Sequence, residues 1–118
     1  MLIYHHLGVW KHGDVVVVRF GDHHVLDELT VRKIAEELYS VADRENCHHL
    51  VLNFSGVLAL STLMLGKLLV LRKKMTSKGG RLVVCDLNPE VSDVLAAMRL
   101  DTILEIMDSE ADALKTLG

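Results

Sequence analysis

The sequence predicts one α/β domain: a mixed, mostly parallel β-sheet with an N-terminal hairpin and four helices. Three observations predict it. Strand-like and helix-like stretches alternate along most of the chain, and strands separated by helices need right-handed crossovers that yield a parallel sheet. Two strand-like runs joined by a turn precede that alternation and add an antiparallel strand. The chain has 118 residues, room for one real core, and no linker-like stretch, so a single domain over 1–118 is expected.

The elements follow in order. Leu7 to Lys11 reads as a short strand, His12-Gly13-Asp14 as a turn, and Val15 to Phe20 as a β-branched strand closed by Gly21-Asp22. Leu26, Leu29, Ile34, Leu38 and Val41 recur at near-helical spacing, which predicts a helix from Leu26 to about Asp43. His49 to Phe54 is a buried-type strand, and Ser55 to Leu60 reads as a connection. A second helix is predicted over Thr62 to Ser77, stopped by Gly79-Gly80, with Arg72, Lys73, Lys74 and Lys78 near the end that favours cations. Arg81 to Cys85 is the next strand. Asn88-Pro89 then opens a helix to about Met98 as a capping residue followed by proline. Ile103 to Met107 is a last strand, and Asp108-Ser109-Glu110 leads into a helix through Leu117. The order is β-β-α-β-α-β-α-β-α.

Composition narrows the function classes. Hydrophobic residues make up 50% of the chain but aromatics only 4%, so the core is aliphatic. Charged residues are 25% and the formal net charge is −3, which excludes a disordered chain and gives no phosphate-backbone footprint, so no nucleic-acid partner is expected. No apolar run approaches the ~20 residues a bilayer span needs, and no secretory leader pattern opens the chain. The two cysteines, Cys47 and Cys85, form no CxxC pair, which fits a reduced, cytoplasmic setting.

The search for catalytic chemistry returns little. His5-His6, His23-His24 and His48-His49 are adjacent pairs, and neighbours on a strand point to opposite faces, so none chelates by itself. No metal site or cofactor is expected. Cys85 reads as an inert core residue, whereas Cys47 reads as a loop thiol open to reaction. Phosphate-cradling loops and a nucleophile elbow are missing. Asp86 at a strand end suggests a phosphate-accepting receiver domain only weakly, because the early acidic pair such a site needs is absent. The chain is not expected to be an enzyme.

The informative segment runs from Asn53 to Gly66. Ser61 is a good N-cap and Thr62 the first helical residue. A hydroxyl there either caps the helix or accepts a phosphate, whose charge the helix N-terminus tolerates. The helix that follows is apolar nearly all round, so some of Leu58, Leu60, Leu63 and Met64 are expected to face a partner.

These residues carry a resemblance to STAS domains, the kind found in anti-sigma factor antagonists and at the end of sulfate transporters. Val-Leu-Asn-Phe-Ser at 51–55 resembles the family's strand ending in Asp-Leu-Ser, and Ser61-Thr62 with Gly66 falls where it has Asp-Ser-[Ser/Thr]-Gly-Leu-Gly. Gly79 to Cys85 resembles its next strand, and Asn88-Pro89-Glu90-Val91 with Leu100 its third helix and following turn. The likeness covers nearly everything from Leu7 to Gly118.

The resemblance implies a regulatory protein–protein interaction domain whose partner is an anti-sigma factor with serine/threonine kinase-like activity. It places the phosphoacceptor at Thr62, with Ser61 the secondary candidate standing where the family has Asp. Leu63-Met64 replaces a small pair, and this bulk is expected to hinder a kinase. The partner surface is then expected to comprise Asp22, His23, His24, Ser55, Leu58, Leu60, Leu63 and Met64, on a monomer or weak homodimer. The alternative is a divergent module that binds a small ligand or nucleotide, or homodimerises, without phosphorylation.

Overall fold

The computed structural model describes residues 4–44 and 46–118. Strand β1 (Leu7–His12) pairs antiparallel with β2 (Val15–Phe20), so His12 faces Val15 across a two-residue turn. Gly13 holds φ +63 there, a left-handed conformation cheap only for glycine. Strand β3 (His24–Val25) is two residues long and leads into α1 (Glu28–Ala42). Next come β4 (His49–Asn53), β5 (Ala59–Leu60), α2 (Thr62–Ser77), β6 (Leu82–Cys85) and α3 (Pro89–Ala97). A 3₁₀ turn at Leu100–Thr102, β7 (Glu105–Met107) and α4 (Glu110–Leu117) complete the fold.

The main sheet runs β1-β2-β4-β6-β7, with every pairing after the hairpin parallel. The expected mixed sheet with four helices is therefore observed. A second sheet is new. β3 and β5 form a parallel two-stranded ribbon, His24 opposite Ala59 and Val25 opposite Leu60. The segment read as a plain connection, Ser55 to Leu60, thus ends in a strand. Two residues are too few to show a period, so no pattern could announce it.

Alternation along the central strands divides the core between two faces. Val16, Val18, Leu50, Leu52 and Val84 pack under α1, α2 and α3, through Ile34, Leu38, Leu65, Leu68, Val91 and Leu95. Val15, Val17, Val51, Val83 and Cys85 face the other way and meet only α4, at Ala113, Leu114 and Leu117.

Two boundaries shift by two residues from expectation. α1 starts at Glu28, not Leu26, because Asp27 caps it by accepting the Thr30 amide at 2.9 Å. Leu26 and Leu29, expected in the core stripe, are 52% and 62% exposed. The last strand keeps only Glu105–Met107, because Ile103 and Leu104 turn their amides back to the Leu100 carbonyl at the end of a 3₁₀ turn, and Ile103 is exposed. The Gly79-Gly80 stop acts through two different effects. Gly79 takes φ +79, while a Cβ on Gly80 would stand 1.8 Å from the His48 carbonyl oxygen.

Candidate functional site

The β3–β5 ribbon explains why two helix starts lie side by side. Each of its strands runs directly into a helix, and the Ser61 amide donates to the Val25 carbonyl at 2.9 Å. Ser61 is the N-cap of α2, and its Oγ accepts from the Met64 amide at 3.3 Å. The first intrahelical bond is Leu65 N–H to the Ser61 carbonyl, 3.3 Å, so the amides of Thr62 and Leu63 precede the helical ladder. Thr62 is exposed at that N-terminal turn.

Of the expected partner-facing residues, the fold brings most to this end and withdraws two. Leu58 and Leu63 are 46% and 41% exposed. Leu60 and Met64 are buried, at 8% and 0%, and belong to the core under α1 to α3. Neither therefore faces a partner as expected: the ribbon alternates Ala59 outward and Leu60 inward, and Met64 lies on the helix face turned to the sheet. The obstruction expected from Leu63-Met64 shrinks accordingly to Leu63 alone.

His23, His24 and Ser55 are exposed, and Asp22 is half-buried. The His23 Nδ1 lies 2.8 Å from the Gly56 carbonyl, and the His23 carbonyl accepts from the Leu58 amide at 2.7 Å. His6 ties down the other side of that loop, with Nδ1 2.7 Å from Asp22 Oδ1 and its amide donating to the Glu37 carboxylate at 3.1 Å.

Asn88 was missed as a site residue. Its position is the N-cap of α3 and Pro89 follows as expected, yet it makes no side-chain cap bond. Its Nδ2 instead donates to the carbonyls of Val57 at 2.7 Å and Ser55 at 3.2 Å. The Asn-Pro pair looks like a cap in sequence, and nothing local signals the longer reach. Asn53, the one buried polar residue among those described, fixes the same loop, its Oδ1 accepting from the Ser55 amide at 2.9 Å. A cleft of about 480 Å³ between ribbon and helix is lined by His24, Leu58, Ala59, Asn88, Pro89 and Glu90.

Elsewhere the polar residues tie elements together. Asp86 sits at φ +56 and accepts the Glu110 amide at 2.9 Å, opening α4. Cys47 is fully buried, its Sγ directed at the His49 carbonyl, and burial pushes its thiol pKa up. The expectation of a reactive loop thiol is overturned. Burial also raises the Cys85 thiol. Among the described residues no three His, Cys, Asp or Glu side chains gather to hold a metal ion, and no helix is long and apolar enough to cross a membrane.

The STAS domain family model matches residues 8–113. The chain belongs to the STAS domain family. Its relatives include an anti-sigma F factor antagonist from Paenibacillus polymyxa, 32% identical over 109 residues, which span 90% of this chain and 89% of that protein. Among solved structures, an anti-sigma-factor antagonist STAS domain protein from Planctomyces limnophilus superposes with TM-score 0.85 at 18% identity, covering 95% of this chain and 97% of that one. The Bacillus cell fate determinant SpoIIAA in its phosphorylated form superposes with TM-score 0.72 at 18% identity, covering 95% and 99%. At such identities the two structures establish the STAS fold. The family is regulatory and not a known enzyme class.

Proposed function

We propose that this STAS domain is an anti-sigma factor antagonist that docks a kinase-type anti-sigma factor under phosphate control at Thr62. The docking surface is the Asp22–His24 loop, Ser55, Leu58 and the exposed first turn of α2 with Leu63. One observation carries the reading: Thr62 is exposed at the helix start, while the neighbouring Ser61 is partly buried with its Oγ turned to the Met64 amide. Thr62 is therefore the available acceptor. The relative described as an anti-sigma F factor antagonist, at 32% identity, supports the partner class.

A phosphate on Thr62 adds a charge of about −1.5 to −2 beside the unpaired amides of the first turn, which the helix N-terminus accommodates. The partner must then desolvate that charge between the exposed Leu58 and Leu63, so affinity falls. The test is incubation with the cognate kinase and ATP, phosphosite mapping by mass spectrometry, and a binding titration of Thr62→Glu. Phosphate on Thr62 and roughly tenfold or greater weakening by Thr62→Glu are expected. Phosphate on Ser61 alone, or none, removes the switch; unchanged affinity of Thr62→Glu removes the surface.

A further inference from the structure

The outer margin of β1 is the longest unguarded edge of the sheet. Gly21 donates to the His6 carbonyl at 2.8 Å, and the register sets Leu7 opposite Phe20. In an antiparallel ladder, inward and outward backbone groups alternate. Gly8, Trp10 and His12 therefore turn their amides and carbonyls to β2, and Leu7, Val9 and Lys11 turn theirs away from the sheet. Proteins shield such an edge with bulges, prolines or central charges. β1 pairs one-to-one without a bulge, contains no proline, and has its only full charge, Lys11, near one end.

Side chains and charges on this edge are self-complementary. The Trp10 ring is 52% exposed and lies over Gly8, where an added Cβ would stand 2.7 Å from it. The Arg19 guanidinium lies 5.5 Å from the ring. Exposed Lys11 and His12 occupy one end of the strand. At the other end stand the carboxylates of Asp22, paired with His6, and of Glu37, bound to the His6 amide; Glu37 lines a cleft with His5, His6, Glu36 and Lys33.

We propose that β1 pairs antiparallel with β1 of a second copy of this chain, about a two-fold axis at Val9. In that register Val9 exchanges both hydrogen bonds with its own counterpart, and Leu7 stands opposite the second copy's Lys11. Gly8 faces the second copy's Trp10, so the two rings, each lying over its own copy's Gly8, come side by side across the axis. Each Lys11–His12 end lies beside the other copy's Asp22–Glu37 end, and this charge complementarity occurs twice. Centring on Lys11 would set the two lysines face to face, which is unfavourable. Centring on Leu7 would set Trp10 against Tyr4 and carry Lys11 past the Asp22–Glu37 end. The main sheet would become ten strands long, and Asp22 would be shared between this contact and the proposed docking surface.

Trp10 is the only tryptophan, so it reports this contact directly. Sedimentation velocity over a dilution series, read alongside tryptophan emission and amide exchange, tests the dimer. The expected result is a mass that doubles with concentration, a blue shift of Trp10 as it is covered, and slowed exchange at Val9 and Lys11. Val9→Pro removes an outward amide, a position where an edge strand tolerates proline. Loss of the two Val9 bonds should weaken the dimer about thirtyfold. A monomer at every concentration overturns the proposal, as does a dimer in which the Val9 amide of the wild-type chain exchanges freely. The exchange result decides even if Val9→Pro fails to fold.

Discussion

The starts of α2 and α3 are built alike and put to different use. Ser61-Thr62-Leu63-Met64 and Asn88-Pro89-Glu90-Val91 occupy the same four positions, from cap to third helical residue. In both, the first two helical residues are exposed and the third is buried, Met64 at 0% and Val91 at 1%. The inward anchor is thus the common structural element. The differences sit at the other positions. α2 presents a hydroxyl and a leucine, whereas α3 presents a proline that can accept no phosphate and a glutamate. The Ser61 side chain closes its own helix, and the Asn88 side chain leaves its helix to hold the Ser55–Val57 loop. One start is open for chemistry and the other is a fixture for the loop beside it.

The comparison is most strongly tested at the anchors. Met64→Ala should cost about 2–5 kcal/mol, as large-to-small core changes do, while Leu63→Ala on the exposed neighbour should cost well under half of that. Chemical denaturation of both variants measures the gap, and equal losses would mean that the two side chains are not divided between core and surface.

The caps come next. Asn88→Ala strands two or more loop carbonyls and should cost about 1–3 kcal/mol. Ser61→Ala loses one capping bond, about 1 kcal/mol. Exchange should quicken at Val57 and Leu58 in the first variant and at Met64 in the second. The reverse pattern would exchange the roles assigned to the two caps.

The smallest effect is the acid response of a third helix start. The Thr30 amide, by hydrogen-bonding to Asp27, holds that carboxylate below its ordinary range. The Arg81 guanidinium does the same for Glu105. A carboxylate whose folded pKa is depressed stabilises the fold above its unfolded value, and that contribution is lost as pH falls through the folded value. Thermal midpoints should therefore decline below about pH 4, and Glu105→Gln should flatten that decline. An unchanged acid slope in Glu105→Gln would show that the Arg81 pair does not contribute to it.

How much of this the sequence discloses depends on the length of the pattern. Val15 to Phe20 and the Ile34-Leu38-Val41 stripe are long enough to show their periods, and both elements lie where those periods put them. The ribbon of His24–Val25 and Ala59–Leu60 is too short for any period. α2 is apolar on nearly every side, so its composition carries no phase, and the inward turn of Met64 cannot be read from it. Leu26 and Leu29 keep the helical spacing but stand before or within the first turn of α1, where they are left exposed. The capping role of Ser61 was legible because it is local, and the reach of Asn88 was not because its acceptors lie some thirty residues away.

Gly80 limits how this chain can change over time. Its neighbour Gly79 needs only a left-handed backbone, which asparagine also accepts at modest cost. Gly80 lies against the His48 carbonyl, where even a methyl group overlaps backbone that cannot rotate aside. Random mutagenesis under selection for folding should therefore leave position 79 some latitude and position 80 none. That single backbone contact, where α2 hands the chain to β6, is a position at which drift has no tolerated step, unlike a core side chain that a neighbour of similar volume can replace.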